Sequence, residues 1–260
     1  MIKVLDHGFI REVDRMGNDE SVVEAARISY SKKSNSSTKD LIRYLMRHGH
    51  TSPFEMCEIK FHIKCPIYVW RQWIRHRTAS VNEYSMRYSP AIRDMQSAGV
   101  WRKQSEINKQ GSSSETYLDN GKLFQEEIDL HNNSLEVYDK RIKNGISREQ
   151  ARKDLPLSTY TEAFWKIDLH NLLHFLKLRL NENSQFEIRE YAKAIESVVM
   201  HWVPLSYQAF LDYEINSIKL SRLEVECIRN RVIDGMRGRE LEEFKEKIYK
   251  LDLENLNENY

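Results

Sequence analysis

The sequence predicts an α+β protein, and three stretches carry that reading. Residues 57–65 alternate strictly, with Cys57, Ile59, Phe61, Ile63 and Cys65 on one side and Glu58, Lys60, His62 and Lys64 on the other. Such alternation marks a strand of an antiparallel sheet, one face buried and one wet. Residues 185–202 instead carry Ile188, Tyr191, Ala192, Ile195, Val198 and Val199 at helical spacing, stopped by Pro204. Between them, Pro66 heads a helix whose face is Ile67, Trp70, Trp73 and Ile74, so strand runs directly into helix.

The remaining elements follow in chain order. Residues 2–5 and 9–16 read as short strands around a His7-Gly8 turn. Gly17-Asn18-Asp19 offers an N-cap to a helix whose face is Val22, Ala25, Ala26 and Tyr30. Residues 31–37 form a polar connection able to act as a lid. Leu41, Ile42, Leu45 and Met46 define the next helix, closed by Gly49. Residues 94–116 are a polar insertion, with Gly111 to Ser114 expected as loop. A long helix carries Leu123, Phe124, Ile128, Leu135, Tyr138 and Ile142 and ends at Gly145. Ser147 to Gln150 reads as a capping box opening a short helix that stops at Leu155-Pro156. Residues 160–167 are strand-like, and Asp168 caps a helix over residues 169–179. Ser221 and Glu224 start another helix, and Leu241, Phe244, Ile248 and Leu251 mark a charged terminal one. The expected division is a catalytic domain over 1–220 and a helical extension over 221–260.

Forty Lys and Arg against thirty-nine Asp and Glu leave a formal charge of +1, so no global basic field calls for nucleic acid. No apolar run reaches the ~18–20 residues of a membrane helix, and the first six residues are not a signal peptide. Cys57 and Cys65 lie roughly 26 Å apart on one strand at ~3.3 Å per residue, and no Cys-x-x-Cys occurs. The expectation is a reduced, cytoplasmic protein without membrane or nucleic-acid partners. None of the nine glycines stands in dinucleotide or P-loop spacing, so a bound phosphate must be met by side chains.

The candidates are concentrated in Arg75-His76-Arg77-Thr78-Ala79-Ser80-Val81-Asn82-Glu83-Tyr84-Ser85-Met86-Arg87. The arginines sit at a helix C-terminus, where the macrodipole favours cations, and run on into an expected loop. Guanidinium forks there suit bidentate phosphate binding. A zinc reading of His170 and His174 is weakened because Asn171 stands where a metallohydrolase motif has Glu, and no third ligand is evident. Single-stranded nucleic-acid binding, from arginines interleaved with Trp70, Trp73, Tyr84 and Tyr88, lacks a basic stripe beyond this one stretch.

The pattern Arg-His-Arg-x-x-Ser-x-Asn-x-x-Ser-x-Arg, complete from Arg75 to Arg87, resembles the signature of the flavin-dependent thymidylate synthases. His50-Thr51-Ser52-Pro53-Phe54-Glu55 and Ala151-Arg152-x-x-Leu-Pro156 resemble further segments of that family. The resemblance implies a twisted, mainly antiparallel sheet with helical layers, assembled as a homotetramer with sites between subunits. It implies reductive methylation of dUMP to dTMP through FAD, with methylenetetrahydrofolate and NADPH as co-substrates. Carried over residue by residue, it assigns Arg179 to catalysis. It places Ser52, His50, Arg75, His76, Arg77, Glu83, Asp168, Leu169, His170 and His174 at the flavin. It places Gln72, Trp73, Ile74, Arg75, Glu83, Tyr84, Ser85, Met86, Arg87, Arg152 and Arg179 at dUMP. No metal is implied. His76 and Arg77 are expected as cations facing the flavin, and Glu83 as a carboxylate orienting arginines or binding a ribose hydroxyl. Ser85 lacks an adjacent base, so phosphate binding suits it better than nucleophilic attack, and the cysteines lack an evident activating group. Where the family usually continues Asp-x-His-Ala-Gln after the key arginine, this chain has Asn181-Glu182-Asn183-Ser184-Gln185.

Overall fold

The computed structural model describes residues 1–29, 36–106, 111–117, 119–233, 235–251 and 257–258. Tyr30, most of the 31–37 connection and residues 107–110 of the polar insertion lie outside the described residues. The chain divides into two compact units, Met1–Phe210 and Leu211–Tyr260.

Strands β1 (Ile2–Val4) and β2 (Gly8–Met16) precede α1 (Asp19–Ile28), α2 (Thr38–Arg47) and α3 (Ser52–Glu55). Asn18 caps α1 in a reciprocal box with Ser21, and Gly49 past α2 takes φ +68°, which favours glycine. Strand β3 (Glu58–Pro66) runs straight into α4 (Ile67–Trp73). Pro66 is both the last strand residue and the N-cap, one position earlier than expected. The N–H groups at the start of α4 are satisfied across the chain, Ile67 by the Thr159 carbonyl at 2.9 Å and Tyr68 by that of Leu157 at 3.0 Å.

Within the Arg75–Arg87 stretch the expected loop is in part a strand, β4 (Ser80–Glu83), paired to a sheet edge. The polar insertion is likewise a hairpin, β5 (Arg102–Gln104) with β6 (Ser112–Thr116), so Ser112 to Ser114 are strand and not loop. Next come α5 (Asn120–Lys143) and α6 (Arg148–Ala151). Ser147 precedes α6 but makes no side-chain capping bond, so the expected box does not form. Strand β7 (Tyr160–Asp168), α7 (Leu169–Arg179), α8 (Phe186–Trp202) and α9 (Pro204–Phe210) complete the first unit.

The five strands pair antiparallel in the order β1-β2-β3-β7-β4. The β3–β7 register runs unbroken from Glu58 opposite Asp168 to Pro66 opposite Tyr160. One face is the core, with Ile59, Phe61, Ile63, Cys65, Trp165 and Ile167 buried beneath α4, α7 and α8. The wet face carries an ion pair, Lys166 to Glu58 at 2.6 Å, and a hydrogen bond between His62 and Glu162 at 2.9 Å. Buried Asp19 accepts from the Leu205 and Ser206 N–H groups and the Ser206 hydroxyl, fixing the start of α1 to the start of α9. The second unit holds α10 (Arg222–Asn230), β8 (Val232–Ile233), α11 (Arg239–Lys250) and β9 (Asn257–Glu258). Its core is Cys227, Ile233, Met236, Phe244 and Ile248. Ser221 and Glu224 form the expected capping box, and Glu224 also takes Lys247 at 2.6 Å.

At Gly8 the backbone passes too close to its neighbours for a side chain. A Cβ there would stand 2.7 Å from the Val4 carbonyl oxygen and 2.9 Å from that of Lys64, and would overlap the Tyr191 hydroxyl. Gly8→Ala is therefore expected to cost about 1–3 kcal/mol, read as a lower Tm in thermal denaturation. Adding Tyr191→Phe should recover only part of the loss, because both carbonyls remain in place.

Candidate active site

Two strand–helix units build the site. Helix α4 ends at Trp73 and the chain turns at once, with the His76 N–H on the Trp73 carbonyl at 3.0 Å. Helix α7 begins at its cap Asp168, which accepts from the Asn171 N–H at 2.9 Å and its side-chain amide at 2.8 Å. The two helices are locked by rings: Trp73 lies 5.0 Å from Phe175 and 5.3 Å, edge-on, from Trp165. A cavity of about 340 Å³ opens beside them, lined by Arg75, His76, Arg77, Thr78, Ile167, Asn171, His174, Leu178 and Arg179.

On its wall the Arg179 Nε donates to His76 Nε2 at 3.0 Å, and Nη2 donates to the Gln72 carbonyl at 3.3 Å. The His76 ring also meets Phe175 edge-on at 4.9 Å. Burial, then the Arg179 charge and His174, bring its pKa down to about 4. His76 is thus neutral at pH 7, with Nε2 as acceptor and the proton on Nδ1. This corrects the expectation of a histidine cation. Burial also lowers the Arg179 pKa, yet a guanidinium stays charged. Two of its N–H groups are committed, and the fork has others left for a ligand.

The other expected residues fall elsewhere. Glu83 binds no arginine in the described structure; its carboxylate accepts from the Trp70 indole at 3.0 Å and the Thr161 hydroxyl at 2.8 Å. Trp73 and Leu169 are fully buried and act as core, and Ile74 caps the end of α4. Ser52 opens α3, exposed, with α3 packed on α7, and exposed His50 meets Tyr44 edge-on at 5.8 Å. Half-buried His170 lies one turn from His174 but is not part of the cavity wall. Tyr84 donates to the Pro90 carbonyl at 2.7 Å, and the Ser85 hydroxyl accepts from the Arg87 N–H at 3.3 Å. Met86 packs on Ala91, Tyr138 and Ala151; Arg87 pairs with Glu149 at 3.4 Å; Arg152 follows α6. Of the expected residues, Arg75, His76, Arg77, His174 and Arg179 line one cavity, whereas Met86 packs against Ala151, the residue before Arg152.

Sequence reasoning missed Thr78, Ile167, Asn171 and Leu178 on the wall. Asn171 and Leu178 share a helix face with His174, a spacing that could have found them. Among the described residues, no group of three or more His, Cys, Asp or Glu could hold a metal ion, and no helix is long and apolar enough to cross a membrane. All three cysteines are buried and in no disulfide, and burial with Asp19 nearby pushes the Cys57 thiol up to about 11, so it offers no thiolate.

The chain is similar to proteins whose chemistry is known. The family model described as thymidylate synthase complementing protein matches residues 12–205. A flavin-dependent thymidylate synthase of Wolbachia pipientis wMel is 52% identical over 235 residues, covering 88% of this chain and 83% of that one. That of Thermus thermophilus is 44% identical over 265 residues, covering 95% and 96%. Among solved structures, a UMP/dUMP methylase PolB from Streptomyces cacaoi, bound with 5-Br dUMP, superposes with a TM-score of 0.74 at 29% identity, covering 84% of this chain and all of that one. With Arg75, His76 and Arg77 of the signature lining the cavity beside Arg179, these matches establish that the chain belongs to the flavin-dependent thymidylate synthase family.

Proposed function

We propose that this enzyme reductively methylates dUMP to dTMP, taking the carbon from methylenetetrahydrofolate and the electrons from NADPH through FAD. The observation that carries the reading is Arg179, held by His76 and the Gln72 carbonyl on a cationic cavity wall. The bound 5-Br dUMP of the PolB structure and the names of the relatives support it.

Arg179 acts on the pyrimidine. Negative charge gathered along the N3 edge of uracil makes C5 more nucleophilic. A guanidinium fixed beside that edge stabilises the charge without rearranging. Neutral His76 orients it without adding a further positive charge. Arg75, Arg87 and Arg152 meet the phosphate, with Gln72, Tyr84 and Ser85 completing its hydrogen bonds. The wall also fits a flavin: Arg75, Arg77, Asn171 and His174 offer donors to an electron-rich edge, and Ile167 and Leu178 an apolar flank, in a volume usual for small-molecule sites. Bound there, FAD supplies the hydride that reduces the transferred carbon to a methyl group. Ser52, His50, Glu83, Asp168, Leu169 and His170 are assigned to the cofactor from the family resemblance. A homotetramer with sites between subunits is assigned from the family resemblance. Catalysis is assigned to residues 1–220, in the cytoplasm.

Purified protein is expected to be yellow, to release FAD on denaturation, and to rescue a thymidine-requiring strain; colourless protein that fails to rescue would end the proposal. Arg179→Lys keeps a charge but loses the fork, and dTMP formation should fall about a hundredfold with the protein still folded. The His76 pKa is depressed from 6.5 to about 4, so the unfolded chain binds the extra proton between those values. This group's contribution to stability is complete above pH 6.5 and is lost as pH falls towards 4. His76→Gln, whose amide oxygen can still accept from Arg179, should flatten the fall in Tm over that window.

A further inference from the structure

Glu187, in the first turn of α8, is a buried carboxylate only 7% exposed. Its Oε1 accepts from Arg102 Nη2 at 2.5 Å, and its Oε2 from Gln185 Nε2 at 2.8 Å. Arg102 comes from β5 in the polar insertion, its guanidinium 4.5 Å from the centre of the Phe186 ring. Gln185 Oε1 in turn accepts from Gln72 Nε2. Gln72 is the residue whose main-chain carbonyl receives Arg179.

The polarity of this chain is forced. A carboxylate only accepts, so Gln185 must turn its amide nitrogen to Glu187 and its oxygen to Gln72. That oxygen holds the Gln72 nitrogen towards α8, leaving the Gln72 oxygen and one N–H for another partner. An amide that could sit either way is thereby set in one orientation by a charge two hydrogen bonds away. Arg102 makes the buried charge tolerable, since an unpaired carboxylate there would be costly.

We propose that Arg102 and Glu187 are positioning residues for nucleotide binding: through Gln185 they fix the Gln72 amide, and with it the end of α4 that Arg179 grips. The hairpin is thereby tied to the active site rather than being an inert insertion. The inference rests on reading Gln72 as a dUMP contact.

The test uses the full-length flavin-loaded enzyme, titrated with dUMP by calorimetry alongside FAD content, Tm and steady-state kinetics. Glu187→Gln can donate as well as accept, so it releases the polarity; Arg102→Met removes the charge and keeps the stem. Each should weaken dUMP binding about tenfold and raise KM in step, with kcat changed less and FAD content retained. Arg102→Lys should recover most of the affinity. A lower Tm with dUMP affinity within about twofold of wild type in both Glu187→Gln and Arg102→Met would show a purely structural pair and overturn the proposal. If Glu187→Gln does not fold, Arg102→Met decides alone. A wild-type enzyme that binds no dUMP would overturn the functional reading itself, a failure distinguished by that control.

Discussion

The antiparallel pairing of β3 with β7 is the constraint from which the site follows. Each strand passes directly into a helix, α4 after Pro66 and α7 after Asp168, and the register puts those helix starts at opposite ends of the sheet. A nine-residue strand spans roughly 27 Å at ~3.4 Å per residue. Helices of seven and eleven residues folding back over it cover about 10 Å and 16 Å at 1.5 Å per residue. Their C-termini must therefore meet near the middle of the sheet, where Trp73, Phe175 and Trp165 interlock. The Arg179–His76 bond, between residues 103 apart in sequence, is the chemical result.

That meeting point explains how several cations can share one wall. Two helix C-termini bring unpaired carbonyls and the negative ends of two macrodipoles to the same place. Arg179 is the last residue of α7 and donates to the Gln72 carbonyl near the end of α4. The histidine between the arginines stays neutral, so Arg179 faces a lone pair and not a fourth charge. A wall arranged this way holds positive charge ready for an anion.

Much of this was legible along the chain. The alternation at 57–65, the α8 stripe and the caps at Asn18, Asp168 and Ser221 all signal locally, and each took the expected form. The errors fell where tertiary partners override local preference. Ser80, Asn82 and Glu83, polar and exposed, become a strand with Val81 because β7 offers an edge. Ser112 to Thr116 pair as a strand for the same reason, with β5 as partner. Glu83 sits among arginines in sequence, but its carboxylate is taken by Trp70 and Thr161.

The strand and helix periods, the cationic motif and the family could be read along the chain, because periodicity and residue type are properties of short stretches. Folding alone settles which motif residues share a wall, that His76 is neutral, and that Arg87 turns to Glu149 while Arg75 faces the cavity. Those outcomes depend on burial and on partners about a hundred or dozens of residues away, distances over which a one-dimensional pattern carries no geometry.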